Sequence, residues 1–103
     1  MATSVVDIKY HIRQNEPDRY LVEDMQAPDF TLSRTTLYEG KSTRGHSHDH
    51  PEIYYFVAGK GRMEIGRESF EVEGSLPVYV PGRSFHRVVN TGAGDLVFLC
   101  FWQ

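Results

Sequence analysis

Short apolar-rich runs, each broken by a cluster of turn-forming residues, succeed one another along the chain. The runs at 5–10, 30–38, 53–57, 62–65, 69–72, 76–80, 85–89 and 96–102 are rich in Val, Ile, Thr, Tyr and Phe. Between them lie Gly, Pro, Asn, Asp and Ser clusters at 14–18, 26–29, 39–45, 58–61, 65–68, 72–77, 81–84 and 90–95. Glycine and proline bring the backbone angles that turns need, and Asn and Asp bond their own backbone. No segment carries an apolar stripe at helical period over three turns. Short strands with regular turn signals predict an all-β sandwich or barrel. A chain of 103 residues is expected to form one domain over 1–103. Residues 1–28 read as an N-terminal strand and a connection, 35–102 as the core, and 59–61 as a hairpin turn.

The run LVFLCFW (Leu96–Trp102) is apolar on both faces. Alternation sends Phe98, Cys100 and Trp102 one way and Val97, Leu99 and Phe101 the other. A strand with one wet face has no reason to look like this. A second sheet or a second subunit must cover the outer side, and a homodimer is the expectation.

Charge then removes several function classes. Eleven Lys and Arg against fourteen Asp and Glu give a net charge of −3. No two basic residues adjoin, so the basic stripe required for nucleic-acid binding is missing. The longest apolar run is far too short to span a membrane. The first residues, MATSVVDIKYHIRQ, carry charges where an export signal needs an apolar stretch. Cys100 is the single cysteine, so no internal disulfide forms. The expectation is a cytoplasmic protein whose partner is a small molecule, not nucleic acid or membrane.

The candidate chemistry lies in GHSHDHPEIYYFVAGKG, Gly45 to Gly61. His46, His48 and His50 alternate, and Glu52 follows His48 by four. In an extended chain, residues two apart share a face, so His46 and His48 point together. His86 comes from a distant run. Three imidazoles and one carboxylate suit one divalent transition metal, Zn, Ni, Fe or Mn. His50 precedes Pro51 and reads as a loop residue outside the ligand set. Arg44 and Arg83 flank the ligand-bearing turns and are candidates for anion contacts. Leu37, Tyr54, Phe56, Val88, Phe98 and Cys100 are expected to line a largely apolar cavity.

These residues carry a resemblance. Gly40, His46, His48, Glu52 and Gly59 match the first motif of the cupin superfamily at every spacing. Gly74, Pro81, His86 and Asn90 resemble its second motif, with one extra residue before Pro81 and Arg83 where a glycine is usual. The resemblance implies a single-domain jelly roll, the double-stranded β-helix barrel. Within that superfamily, TTLYEG, TRGHSH, EIYYFVAGKG, VYVP, HRVVN and FLCFW look like core blocks of the archaeal cupin-type glucose-6-phosphate isomerases. The interval between histidine pair and glutamate is shorter here than in that group. The similarity implies metal ligation by His46, His48, Glu52 and His86, and phosphate contacts through Thr35, Thr43 and Gly45. It also implies Glu52 and Tyr54 as catalytic groups. Three readings follow: a metal-dependent aldose–ketose isomerase for a small sugar or sugar phosphate, a dioxygenase-like cupin for a small apolar or enolic substrate, and a non-catalytic small-molecule-binding module. The leaning is toward an enzyme.

Overall fold

A computed structural model describes residues 9–103, which form nine strands. They are β1 (Lys9–Glu16), β2 (Tyr20–Gln26), β3 (Thr31–Leu37), β4 (Glu52–Ala58), β5 (Lys60–Ile65), β6 (Glu68–Glu73), β7 (Leu76–Val80), β8 (His86–Asn90) and β9 (Leu96–Trp102). One sheet has the order β1-β2-β3-β9-β4-β7 and the other β6-β5-β8. Every named pairing is antiparallel. Two isolated bridges, Ser42↔Val89 and His46↔His86, lay the segment after β3 along the free edge of β8. The chain is thus an all-β jelly roll, two sheets closed around one core.

Alternation along the strands builds that core. Leu37, Phe56, Met63 and Leu96 are fully buried, with Val88 and Phe98 nearly so. Removing a side chain such as Phe56 from water stabilises the fold by about 1.5–3 kcal/mol. On the outer face of the larger sheet, Ile53, Tyr55, Val57, Tyr79 and Phe101 stay exposed. Within the described residues, no second sheet covers this face of β9.

Two sequence expectations change. Residues 9–26 form a two-strand hairpin, β1 and β2, joined at Pro17–Arg19, where the sequence suggested one strand and a connection. The suggested strand at 5–10 lies mostly outside the described residues. Charged residues on β1 and β2 obscured their pairing, because Glu23 and Asp24 are buried by ion pairs rather than by apolarity. The segment 59–61 is not a hairpin turn, because β4 pairs with β7 and β9 while β5 pairs with β6 and β8. It is a corner where the chain changes sheets. Gly59 has φ +92° there, and a Cβ would run into the Asp95 backbone. Both demands require glycine.

Candidate metal centre

Four side chains from three places converge at one end of the barrel. His46 and His48 come from the segment between β3 and β4, Glu52 opens β4, and His86 opens β8. The mutual bridge in which His46 N–H donates to His86 O and His86 N–H to His46 O holds the two histidine backbones face to face. Their rings lie 4.7 Å apart, and the His46 and His48 rings 4.4 Å apart. Gly45, at φ +79°, makes the approach possible, because a Cβ would meet the Phe85 ring at 2.6 Å.

His48 Nε2 lies 2.6 Å from Glu52 Oε1, and His86 Nε2 lies 3.3 Å from the same oxygen. The His86 ring is 2 % exposed, and its Nδ1 sits 3.0 Å from the Ser84 carbonyl. A carbonyl only accepts, so Nδ1 carries a hydrogen, and in the neutral ring that metal ligation requires Nε2 presents a lone pair to the site. That Nε2 is buried and has no hydrogen bond among the described residues. With the ring neutral, that lone pair faces the Glu52 oxygen across a gap that a metal cation can bridge; without metal, a proton on Nε2 serves the same pairing. The carbonyl behind the ring is also the outer contact that orients metal-ligating histidines. The cluster therefore fits a divalent ion.

Burial lowers the pKa of His46, with help from the nearby His86 and His48 rings. Burial lowers His48 too, against the pull of Glu52. His86 is also pushed down by burial, but Glu52 and the Ser84 carbonyl outweigh this and leave it above the ordinary value. Two of the three rings are thus neutral and ready to ligate near pH 7. Burial pushes the Tyr54 phenol well up, so it stays a neutral O–H. Cys100 is held up by burial as well and stays a thiol.

A second grouping, His48, His50 and Glu52, also brings ligand atoms together. His50 is spoken for by packing, stacked on His48 at 4.8 Å and on Trp102 at 5.8 Å.

The cluster opens into a cavity of about 480 Å³. Thr35, Thr43, Gly45 and Tyr54 line it, as do Phe98 and Cys100. Leu37, Phe56 and Val88 do not; they lie deeper, sealed in the core at 1 % exposure or less. The wall also carries Arg13, Gln14, Ser33 and Arg44 beside Tyr20, Val22, His50 and Trp102, polar groups set into a surface that stays mostly apolar. The expected apolar lining holds for the surface as a whole and for Tyr54, Phe98 and Cys100; only Leu37, Phe56 and Val88, at the closed end of the barrel, fail to reach the cavity. Arg13, Gln14, Tyr20 and Val22 were missed because the β1–β2 hairpin was missed. The alternation of Tyr20, Val22 and Asp24 was the signal available.

The two flanking arginines part company. Arg44 lines the cavity, its two terminal nitrogens each 2.7 Å from a Glu16 oxygen. Arg83 stands out in solvent, 3.9 Å from Asp49 and away from the cavity. Its φ of +67° explains the missing motif glycine: the slot is left-handed, and arginine occupies it under strain. Asn90 is structural. Its Nδ2 donates to the Leu37 and Gly94 carbonyls and its Oδ1 accepts from Gly92 N–H, tying β8 to the closing turn.

Comparison with known proteins agrees with this architecture. The Cupin_2 family, described as cupin domain, matches residues 33–102. The glucose-6-phosphate isomerase of Thermococcus gammatolerans is 40% identical over 88 residues, covering 72% of this chain and 47% of that protein. That of Thermococcus onnurineus is 36% identical over 107 residues, covering 90% of this chain and 52% of that one. The chain spans about half the length of these relatives. Bacillus subtilis oxalate decarboxylase, a protein with Mn(II) centers, superposes with a TM-score of 0.80 at 23% identity, over 88% of this chain and 27% of that chain. A match over two thirds of the sequence, on a jelly roll whose motif histidines converge, makes this chain a member of the cupin family.

Proposed function

We propose that the protein is a metal-dependent aldose–ketose isomerase acting on a small sugar or sugar phosphate. The observation that carries this reading is that Arg13, Thr35, Thr43 and Arg44 line the same cavity as His46, His48 and Glu52. His46, His48, Glu52 and His86 would hold one divalent ion, with Mn, Fe, Ni and Zn as the candidates for such a ligand set. Such an ion polarises sugar oxygens and makes the hydrogen beside the carbonyl acidic.

The chain's own residues supply the rest. Glu52 Oε1 is engaged by His48, so Oε2 is the atom proposed to take the proton from C2 and return it to C1. Tyr54, kept neutral by burial, is placed to donate its hydroxyl to a sugar oxygen. Thr43 Oγ1 accepts from Val88 N–H at 2.9 Å and keeps its own hydrogen free for a ligand, in keeping with a phosphate contact shared with Thr35 and Gly45. Similarity to archaeal isomerases of the same substrate class supports this assignment. A dioxygenase-like reaction on a small apolar or enolic substrate is the second reading, favoured by the largely apolar surface of the same cavity.

The test is interconversion of glucose 6-phosphate and fructose 6-phosphate by untagged protein reconstituted with each metal, beside an oxygen-uptake assay. Isomerisation that disappears with chelator and with Glu52→Gln supports the proposal. No turnover with any metal, or oxygen consumption instead, overturns it; binding without turnover leaves the non-catalytic module as the function.

A further inference from the structure

We propose that Arg13 reads the charge of the ligand: its guanidinium receives an anionic group, a phosphate or a carboxylate, and so selects anionic over neutral sugars. The inference deepens the isomerase reading above and rests on it for the sugar class. Arg13 lines the cavity, and its side chain is 47% exposed, so a ligand can reach it. Its Nε stands 2.8 Å from Asp24 Oδ2, and that carboxylate lies behind it, with a side chain only 6% exposed. A buried carboxylate is tolerated when it is paired, so Asp24 compels Arg13 to keep this pose. His11 Nε2, 3.8 Å from the same oxygen, is the more distant partner. Asp24 is thus a positioning residue outside the cavity, and Arg13 is the group that meets the ligand.

The backbone supplies a second, independent observation. The register of β1 shifts between Ile12 and Gln14, so Arg13 is the extra residue of a β-bulge. A bulge re-aims a side chain that regular alternation would send elsewhere. Here Arg13 and its neighbour Gln14 both line the cavity, where alternation allows one of two successive residues to do so. Gln14 pairs with Val22 and Val22 with Thr35, so the bulge lies two strands from Thr35. Two strand spacings are about 10 Å, a gap that an arginine side chain and a bound anion share.

The unspent donors select the ligand. Guanidinium nitrogens only donate, and Asp24 takes up the Nε of Arg13. Among the described residues no other carboxylate pairs with Arg13, and its terminal nitrogens make no hydrogen bond. Arg44, the other arginine on the cavity, differs. Its two terminal nitrogens lie on the Glu16 oxygens at 2.7 Å, and one also donates to the Tyr20 hydroxyl at 3.0 Å. A planar guanidinium with its terminal nitrogens unspent matches the oxygens of a carboxylate or a phosphate. The largely apolar surface around it strengthens that pairing, because charges attract more strongly where water is scarce. The charge also acts further along the wall: burial raises the Cys100 thiol, and Arg13 is among the groups that pull it back.

The experiment titrates chelator-stripped and zinc-loaded protein, by calorimetry, with three probes that cannot isomerise: D-sorbitol 6-phosphate, D-gluconate and D-sorbitol. At least one of the two anions is expected to bind more tightly than sorbitol, and the one that does names the group. Arg13→Gln is expected to weaken that anion about tenfold, the scale of a hydrogen bond to a charged group, and to leave sorbitol within twofold. Arg13→Lys keeps the charge without the planar fork and is expected to recover part of the loss. An arginine with only a structural role would move all three probes alike. Arg13→Gln leaves Asp24 buried without its partner, so the Arg13→Gln, Asp24→Asn double variant carries the same test if the single one does not fold. Anion binding that changes less than twofold in Arg13→Gln, equal losses for anion and sorbitol, or a parent that prefers neither anion, overturns the assignment. Arg13-dependent anion binding in a protein that isomerises nothing keeps the assignment and sinks the reaction. Glucose 6-phosphate turnover with an unchanged KM in Arg13→Gln keeps the reaction and sinks the assignment.

Discussion

His86 holds the most constrained position in the site. Its Nδ1 is fixed by the Ser84 carbonyl, and its Nε2 is buried with no hydrogen bond among the described residues. His50, by contrast, sits between His48 and Trp102 as a stacking partner. His50→Ala is therefore expected to leave metal stoichiometry unchanged and affinity within about threefold, read by calorimetric titration. A loss of binding as large as that of His48→Ala would move the site to the His48, His50 and Glu52 grouping. Arg83 offers a separate test at the same scale. A left-handed backbone costs a residue with a Cβ about 1–2 kcal/mol, part of which the greater unfolded freedom of glycine cancels. Arg83→Gly is expected to raise stability by roughly 0.5–1 kcal/mol, seen as a higher urea midpoint at unchanged slope. No gain would mean that the turn holds no strain.

At the scale of elements, β9 is the strand on which the barrel depends, lying between β3 and β4 in the larger sheet. Phe98 stacks on Tyr54 at 5.4 Å and tilts on Phe56 at 5.3 Å, forming the floor beneath the cavity. Phe98→Ala is expected to destabilise the fold by about 3–5 kcal/mol in urea unfolding. A cost under 1 kcal/mol would contradict this packing. The strands from β3 onward were legible in the sequence because their apolar residues alternate between turn clusters. LVFLCFW was read with the correct faces, Phe98 and Cys100 inward and Phe101 outward. The β1–β2 hairpin was not legible, since its inward positions include Asp24 and an arginine carried on a bulge. Period two fails at a bulge, and a buried ion pair looks like a surface. The candidate cluster was legible because two motifs carried its spacing. Cavity depth was not, since no local pattern says how far along a barrel the core ends.

For the whole molecule, the apolar outer face of the larger sheet needs a cover. Ile53, Tyr55, Val57, Tyr79 and Phe101 are each more than a third exposed on adjoining strands β7, β4 and β9. We propose that a second copy packs there, since identical subunits most often close as twofold dimers. Light scattering at micromolar concentration is expected to give twice the chain mass, and Phe101→Glu to shift it toward the monomer. A wild-type monomer of unchanged fold would contradict this.

The pH response also belongs to the whole molecule. Burial holds His46 and His48 below the ordinary histidine value, so the unfolded chain binds more protons as pH falls through about 6.5. Stability falls with it. His86, raised, acts the other way: its contribution is present below about pH 6.5 and is lost as pH rises through its folded value. A bound metal needs all three rings neutral, so protons compete with it at every one. Metal at 100-fold excess over its dissociation constant adds about 2.7 kcal/mol. The melting temperature with metal should exceed that with chelator at pH 7.5, and the gap should shrink markedly by pH 5. A constant gap would mean that the histidines hold no metal that matters to the fold.

The most direct test of the central claim is a metal titration of untagged, chelator-stripped protein, run beside a His46→Ala, His48→Ala double variant. The wild type should bind close to one divalent ion per chain. The double variant, keeping two of four ligands, should lose nearly all of that binding while remaining folded by circular dichroism. Full stoichiometry at unchanged affinity in a folded double variant would show that the cluster is not the metal centre.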